Sequence, residues 1–304
     1  MAWIRHMTVF LYIMVVLIWG TTYYAITLQL GEVPPLQSVF YRFALAAILV
    51  WILALSIKAR VHFERRLHLL FAGYGLLMFS LNYVVVYHAT AHLVSGLVSV
   101  IFSLMVLFNT LFSWLLLGER PSKGLVTGGL FGLFGLTALF FDDIYGLDLN
   151  EAIVYGIGLS LLSTLLASGG NMVAQLFRTH RLNVISCNCW GMTYGSLYLF
   201  IAILLTGDPW RFPLQPAYIG SLLYLSIAGT VIAFWAYVTL IHRIGAPRAA
   251  YISVLFPLVA ILMSTLYEQM HWTPSKLIGM VLIIAGNLFI IQRKQAGEQA
   301  VQQV

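Results

Sequence analysis

SVIFSLMVLF at 99–108 and SVLFPLVAIL at 253–262 are two copies of one segment, sharing Ser, Val, Phe and Leu at a constant offset, with Ser103 opposite Pro257. Downstream of each copy the triplet PSK recurs, at 121–123 and at 274–276, and the pair Gly128 and Gly135 recurs as Gly279 and Gly286. The offset falls by a few residues between these blocks, as a small loop indel would make it. Each copy lies inside an apolar run of about the length a bilayer-spanning helix needs. The chain therefore reads as a membrane protein built from two related halves.

Composition leads to the same place. Of 304 residues, 61% are hydrophobic and 9% charged. A soluble domain carries roughly 25% charged residues, because its surface faces water. Here the mean hydropathy is +0.92, and the surface that remains possible is one facing lipid. The formal charge of +6 does not indicate nucleic acid, because the basic residues sit in short loops and form no stripe. Cys187 and Cys189 fall within one apolar run and read as small buried side chains; they lie too close together to bridge easily. The first apolar run continues to about Leu28, too long for a signal-peptide core, so it reads as a retained helix.

Cutting at Gly, Pro and charge gives ten apolar segments: 8–28, 35–55, 67–88, 93–117, 123–141, 152–177, 184–206, 216–240, 247–268 and 275–292. The thinnest separator is Ala89 to His92, where one longer bent helix is the alternative. Loop charge tests the count. With the N-terminus in the cytoplasm, the inner loops and termini hold Arg5, Lys58, Arg60, Arg65, Arg66, Arg120, Lys123, Arg178, Arg181, Arg243, Arg248, Arg293 and Lys294, thirteen of the sixteen basic residues. The outer loops hold Arg211 and Lys276, and Arg42 lies within the second helix. A wrong helix count would scramble this partition. The fold class is thus all-α: ten transmembrane helices as two inverted five-helix repeats, 1–142 and 151–294, with a cytoplasmic tail at 295–304. Five helices per half is an odd number, so the second half enters the membrane from the opposite side, the arrangement of alternating-access transporters.

WGTTYYAI (19–26), YRFALAAIL (41–49), LVSGLVSVIFSLMVLFNTLFSWLLLGER (93–120) and GAPRAAYISVLFPLVAILMSTLYE (245–268) together resemble the EamA-like branch of the drug/metabolite transporter superfamily. The resemblance covers nearly the whole chain. It implies a five-plus-five inverted repeat, a central cavity, and export of amino acids or related metabolites across a bacterial inner membrane. One departure is Ser103, where the family often has Pro; the second half keeps Pro257, so a hinge there would be asymmetric.

Arg42 lies about eight residues beyond Pro34, ~12 Å from the outer boundary at 1.5 Å per residue and beyond easy snorkelling. It either faces a cavity and meets a substrate carboxylate, or braces helix-end carbonyls or the outer interface. Trp19, Tyr23, Asn82, Tyr83 and Ser99 place polar and aromatic groups toward the outer part of the first half. Asn171, Gln175, Trp190 and Tyr251 place them toward the inner part of the second. These side chains line a midplane cavity, or serve as packing residues and interfacial belts. His88 and His92, spaced i, i+4 near a helix end, read as interfacial rather than as metal ligands. Glu119 reads as structural or gate-forming, and Asp142 and Asp143 as solvated.

An intramembrane enzyme would need Ser with His, or paired carboxylates, at one depth. Neither occurs, and a P-loop is also absent from the sequence. A scaffold or receptor would not need matching halves. The reading is therefore a secondary transporter, without cofactor or metal, whose partners are a small-molecule substrate, the bilayer and, where coupled, protons. It acts as a monomer or homodimer. Uptake, exchange, or transport of amphipathic cations stand as alternatives.

Overall fold

The computed structural model describes residues 2–118, 123–141, 151–180, 182–244 and 252–302. They form helices throughout, which we number in chain order. α1 is Ala2–Thr27 and α2 is Pro35–Ser56. α3 runs Arg65–Leu76, a π turn at Leu77–Leu81, then Asn82–Thr90. α4 runs Ser95–Phe102 and resumes at Met105–Leu117. α5 is Lys123–Leu139, α6 Glu151–Thr179 and α7 Val184–Thr206. α8 runs Pro216–Ser226, a π turn at Ile227–Ile232, then Ala233–Ile244. α9 is Ile252–Tyr267 and α10 is Pro274–Gln302.

Seven of these helices are long and apolar enough to cross a membrane, and Thr127–Leu139, Ile252–Tyr267 and Pro274–Phe289 are shorter apolar stretches. In a bilayer such helices are favoured because each satisfies its own backbone groups. Pro35 and Pro216 stand at first helical positions, where a missing N–H costs nothing. Gly118 and Gly207 end α4 and α7 in the left-handed conformation, with φ of 69° at each. The thin separator at 89–92 is a real break, since α3 ends at Thr90 and α4 begins at Ser95. The helix α10 carries on beyond the apolar stretch to Gln302. Its run of Gln, Lys, Ala and Glu has high helix propensity and no Pro to stop it.

The sequence asymmetry at Ser103 and Pro257 appears in the backbone with the opposite sense. α9 continues through Pro257, whereas α4 is interrupted at Ser103 and Leu104. There the Ser103 N–H is shared between Ser99 O and Val100 O, the Leu104 N–H donates three residues back to Ile101 O, and Ser103 Oγ donates to Val100 O at 2.7 Å. The Asn287 Nδ2 of α10 donates to that same hydroxyl at 3.1 Å. A hydroxyl turned back on its own helix and held by a second helix is enough to tighten the turn without proline.

Packing between the halves is reciprocal. α1 packs on α8 and α9, and α6, its counterpart, packs on α3 and α4. Likewise α2 meets α8 while α7 meets α3; α2 pairs with α7, α4 with α9, and α5 with α10. The repeated glycines lie in the last of these contacts. A Cβ on Gly135 would stand 2.8 Å from Gly279 O, and one on Gly286 would stand 2.8 Å from Gly128 O. The duplicated motif is thus a close backbone approach, the small-residue packing that lipid-embedded helices use.

Two large hydrophobic cores and two small ones result among the described residues. One large core gathers Leu11, Val98, Ile101, Phe140 and Phe256; the other gathers Phe43, Phe71, Phe79, Tyr87 and Met192. Trp19 and Phe102 touch both, so the seam between the cores runs beside them.

Candidate functional site

The WGTT motif fastens α1 to the second half at this seam. Trp19 Nε1 donates to Gly229 O at 3.3 Å, and Thr21 Oγ1 shares a hydrogen with Tyr224 OH at 2.5 Å. A Cβ on Gly20 would stand 2.8 Å from Phe256 O, so α9 sits directly against the motif. The Trp19 ring meets Phe234 at 5.5 Å, Tyr237 at 5.0 Å and Phe256 at 6.5 Å. One turn on, Tyr23 stacks on Phe256 at 5.7 Å and meets Phe102 edge-on at 6.3 Å.

Arg42 of α2 is 1% exposed, the largest of the fully buried side chains. It does not reach the protein surface. Its Nε donates to Thr230 Oγ1 at 3.2 Å, and its guanidinium carbon lies 4.5 Å from the Tyr83 ring centroid and 5.3 Å from that of Phe43. The tyrosine face carries negative quadrupole charge and stabilises the cation by roughly 2 kcal/mol when both are dry. Tyr83 and Tyr87 also interact electrostatically with the guanidinium. Even so, Nη1 has no hydrogen-bond partner among the described residues.

Both π turns serve this spot. The one in α8 carries Gly229 and Thr230, and Thr230 Oγ1 donates to Leu225 O at 2.8 Å, leaving its lone pairs for Arg42. The one in α3 directly precedes Asn82 and Tyr83. Single π turns are rare and concentrate at functional sites, where they re-aim side chains out of the α register.

The structure thus brings Trp19, Tyr23, Arg42 and Tyr83 to one seam. Asn82, 2% exposed, sits beside it with Oδ1 unpaired. Ser99 is buried and donates to Gly96 O at 2.6 Å in its own helix. Three other candidates lie apart. Asn171 of α6 donates to Asn109 Oδ1 at 3.4 Å on α4, and Gln175, one turn further, is exposed. Trp190 of α7 donates to Val61 O at 2.9 Å and packs on Trp51 and His68, at the end of the protein where the turn at 57–64 lies. Tyr251, like Glu119, Asp142 and Asp143, lies outside the described residues. His88 and His92 are exposed, and the His92 ring meets Tyr155 at 5.2 Å.

Sequence reading missed Thr230 and Gln29 as site neighbours, while Tyr83 and Tyr87 share a helix face at i, i+4 in the sequence. Thr230 had no signal beyond one hydroxyl in an apolar run, and only the π turn gives it a role. Gln29, 1% exposed at the end of α1, accepts from Tyr87 OH at 2.7 Å through Oε1. A long polar side chain at the close of an apolar run was the available clue. At that same end of the protein a pocket of about 340 Å³ opens between Leu30–Pro35, His88, Ala91, Asp208, Pro209 and Arg211.

A family model described as the EamA-like transporter family matches residues 6–141 and 154–292. The chain belongs to the EamA-like transporter family: it is a multi-pass membrane transporter, not an enzyme. It is 25% identical over 295 residues to a probable amino-acid metabolite efflux pump of Escherichia coli (strain K12), covering 93% of this chain and 95% of that one. It is 28% identical over 276 residues to Protein PecM of Dickeya dadantii (strain 3937), covering 90% of this chain and 89% of that one. A solved crystal structure superposes with a TM-score of 0.69 at 18% identity, over 95% of this chain and 98% of the other, and shows the same fold.

Proposed function

We propose that this transporter exports small amino-acid-type metabolites by alternating access, with its substrate held at the seam around Trp19, Tyr23, Arg42, Asn82 and Tyr83. Ten membrane-spanning helices form two inverted five-helix repeats, and both termini face the cytoplasm of a bacterial cell. Asn171, Gln175 and Trp190 line the route from the cytoplasmic side, and Ser99 supports α4 against the seam. The observation that carries the reading is Arg42: a permanently charged group, buried where helices of both halves meet, with one nitrogen unpaired. A charge left in that state is costly in a membrane and marks a functional site by default. The reciprocal packing of the halves supports the inverted repeat, because an odd helix number per half reverses the second entry. The loop charge supports the orientation. The names of relatives in Escherichia coli and Salmonella typhimurium, both probable amino-acid metabolite efflux pumps, support the substrate class.

Expression in a sensitive strain, challenged with toxic amino-acid analogues and with amphipathic cations, tests the reading. Resistance to the analogues, with faster efflux of a radiolabelled one, is the expected result. Resistance confined to the cations would transfer the function to drug export, and faster accumulation would make the protein an uptake system.

A further inference from the structure

Two buried N–H donors at the seam lack acceptors, Arg42 Nη1 and Gln29 Nε2. Both side chains are 1% exposed, and Tyr87, itself fully buried, stands against both. Its hydroxyl donates to Gln29 Oε1 at 2.7 Å, and it interacts electrostatically with the Arg42 guanidinium. That hydrogen bond fixes the amide, because Oε1 is occupied as the acceptor and Nε2 is left as the free end. Arg42 is fixed in the same way by Thr230 at Nε and by the Tyr83 ring against its face. Native structures leave few buried polar atoms unpaired. Here two immobilised donors flank one tyrosine hydroxyl, and one of them carries a full charge.

We propose that Arg42 and Gln29 form a two-point seat for the carboxylate of the transported molecule, an inference that rests on the transporter reading above. Two N–H groups suit the two oxygens of a planar carboxylate, and the charged one shortens and strengthens its bond. Charge selects the same class. One guanidinium neutralises one negative charge, whereas a phosphate monoester would bring an uncompensated second charge into a dry site. The acids among the described residues, Glu32, Glu64, Glu151, Asp208, Glu268 and Glu298, lie in turns, at helix ends or on the C-terminal stretch of α10, and none of these forms an ion pair with Arg42. A path is present. Leu30 and His88, which follow Gln29 and Tyr87 in the chain, line the pocket of about 340 Å³ on that face.

The test uses the purified full chain and reads its thermal midpoint with 3-phenylpropionate, acetate, the protein amino acids, 3-phenylpropionamide and methyl phosphate. At least one carboxylate raises the midpoint, while 3-phenylpropionamide and methyl phosphate leave it unchanged. Gln29→Leu weakens that carboxylate about tenfold, the loss of one hydrogen bond in a dry site. Gln29→Glu places a carboxylate in the seat. It raises the midpoint of the ligand-free protein and abolishes carboxylate binding. A fall in midpoint for Gln29→Glu, equal responses to the acid and its amide, tighter binding of methyl phosphate, or no response to any carboxylate overturns the seat. Flux in proteoliposomes separates this claim from the transporter reading. Carboxylate binding without flux removes the transport reading alone, and flux of phenethylamine without any carboxylate response removes the seat alone.

Discussion

Glu268, at the end of α9, closes the start of α4: its carboxylate accepts the Ser95 N–H at 3.2 Å and the Ser95 hydroxyl at 2.5 Å. Ser264 completes the junction, accepting the Gly96 N–H at 2.7 Å and donating to the same carboxylate. The first N–H groups of a helix have no partner within it, and the positive end of the helix dipole favours an anion there. The acid of one half thus caps a helix of the other.

Removing this cap has a defined cost. Glu268→Ala leaves the Ser95 and Gly96 ends without their anion and should lower stability by roughly 1–2 kcal/mol, the upper range for a lost N-cap. Glu268→Gln keeps an acceptor but no charge and should fall between the two. Thermal unfolding in detergent measures this ordering. Equal midpoints for all three proteins would show that the junction contributes nothing.

The glycine pair gives a second, independent measure of the interface between the halves. Gly279→Ala forces a methyl group against Gly135 O, which would lie 2.6 Å from the new Cβ, and α5 must move away from α10. The cost should be about 1–3 kcal/mol, as for overpacking elsewhere. Gly158→Ala on α6 is the control, because nothing lies within 4 Å of its added Cβ. It should be neutral or stabilise by up to roughly 1 kcal/mol through helix propensity. Chemical unfolding of the two variants beside the wild type separates packing from propensity.

Much of this was legible in the sequence, for identifiable reasons. Lipid demands continuous apolar helices, so the apolar segments announce themselves, and the duplicated glycines survive as a motif because a close backbone approach admits no side chain. The WGTT motif was legible as family likeness, and its role appears only when Gly20 meets Phe256 and Trp19 meets Gly229. The π turns were not legible. Each inserts one residue into a uniformly apolar run, where no periodicity marks the register shift, so Thr230 and Gly229 went unnoticed. Trp190 illustrates the converse. Depth from sequence is counted along one helix, yet Trp190 bonds to Val61 O at the end of the neighbouring hairpin.

Topology is testable by labelling. Cys187 and Cys189 are buried and should give little background with a membrane-impermeant maleimide. A cysteine at Asp208 should label from outside intact cells, because its turn shares a face with Glu32 and Gln37. A cysteine at His62 should label only after permeabilisation. External labelling at position 62 would reverse the orientation inferred from loop charge.

Thr230 should matter to Arg42 more than to the fold. Thr230→Ser keeps the hydroxyl that accepts from Nε, and transport per folded molecule should stay near the wild-type value. Thr230→Val keeps the shape and removes the acceptor, leaving a second guanidinium nitrogen unpaired. A loss of about 1–3 kcal/mol, felt in both stability and transport, is expected for an orphaned charged donor. Flux normalised to folded protein checks the pair, and equal flux in the two variants would detach Thr230 from the site.

The break in α4 supplies the last prediction. Ser103 Oγ donates to Val100 O and accepts from Asn287 Nδ2, and all three groups are buried. Ser103→Ala removes the hydroxyl but leaves Asn287 in place, so a buried amide loses its acceptor; the expected cost is roughly 1–3 kcal/mol. Asn287→Leu leaves Ser103 with its local bond to Val100 and should cost less. Replacing both residues removes the polar pair together, and the double variant should recover much of the Ser103→Ala loss. A coupling of roughly 0.5 kcal/mol or more between the two substitutions is expected for side chains in contact. Thermal midpoints of the four proteins close the cycle. Additive losses would mean that the hydroxyl and the amide act separately, and the tightened turn at 103–104 would then owe nothing to α10.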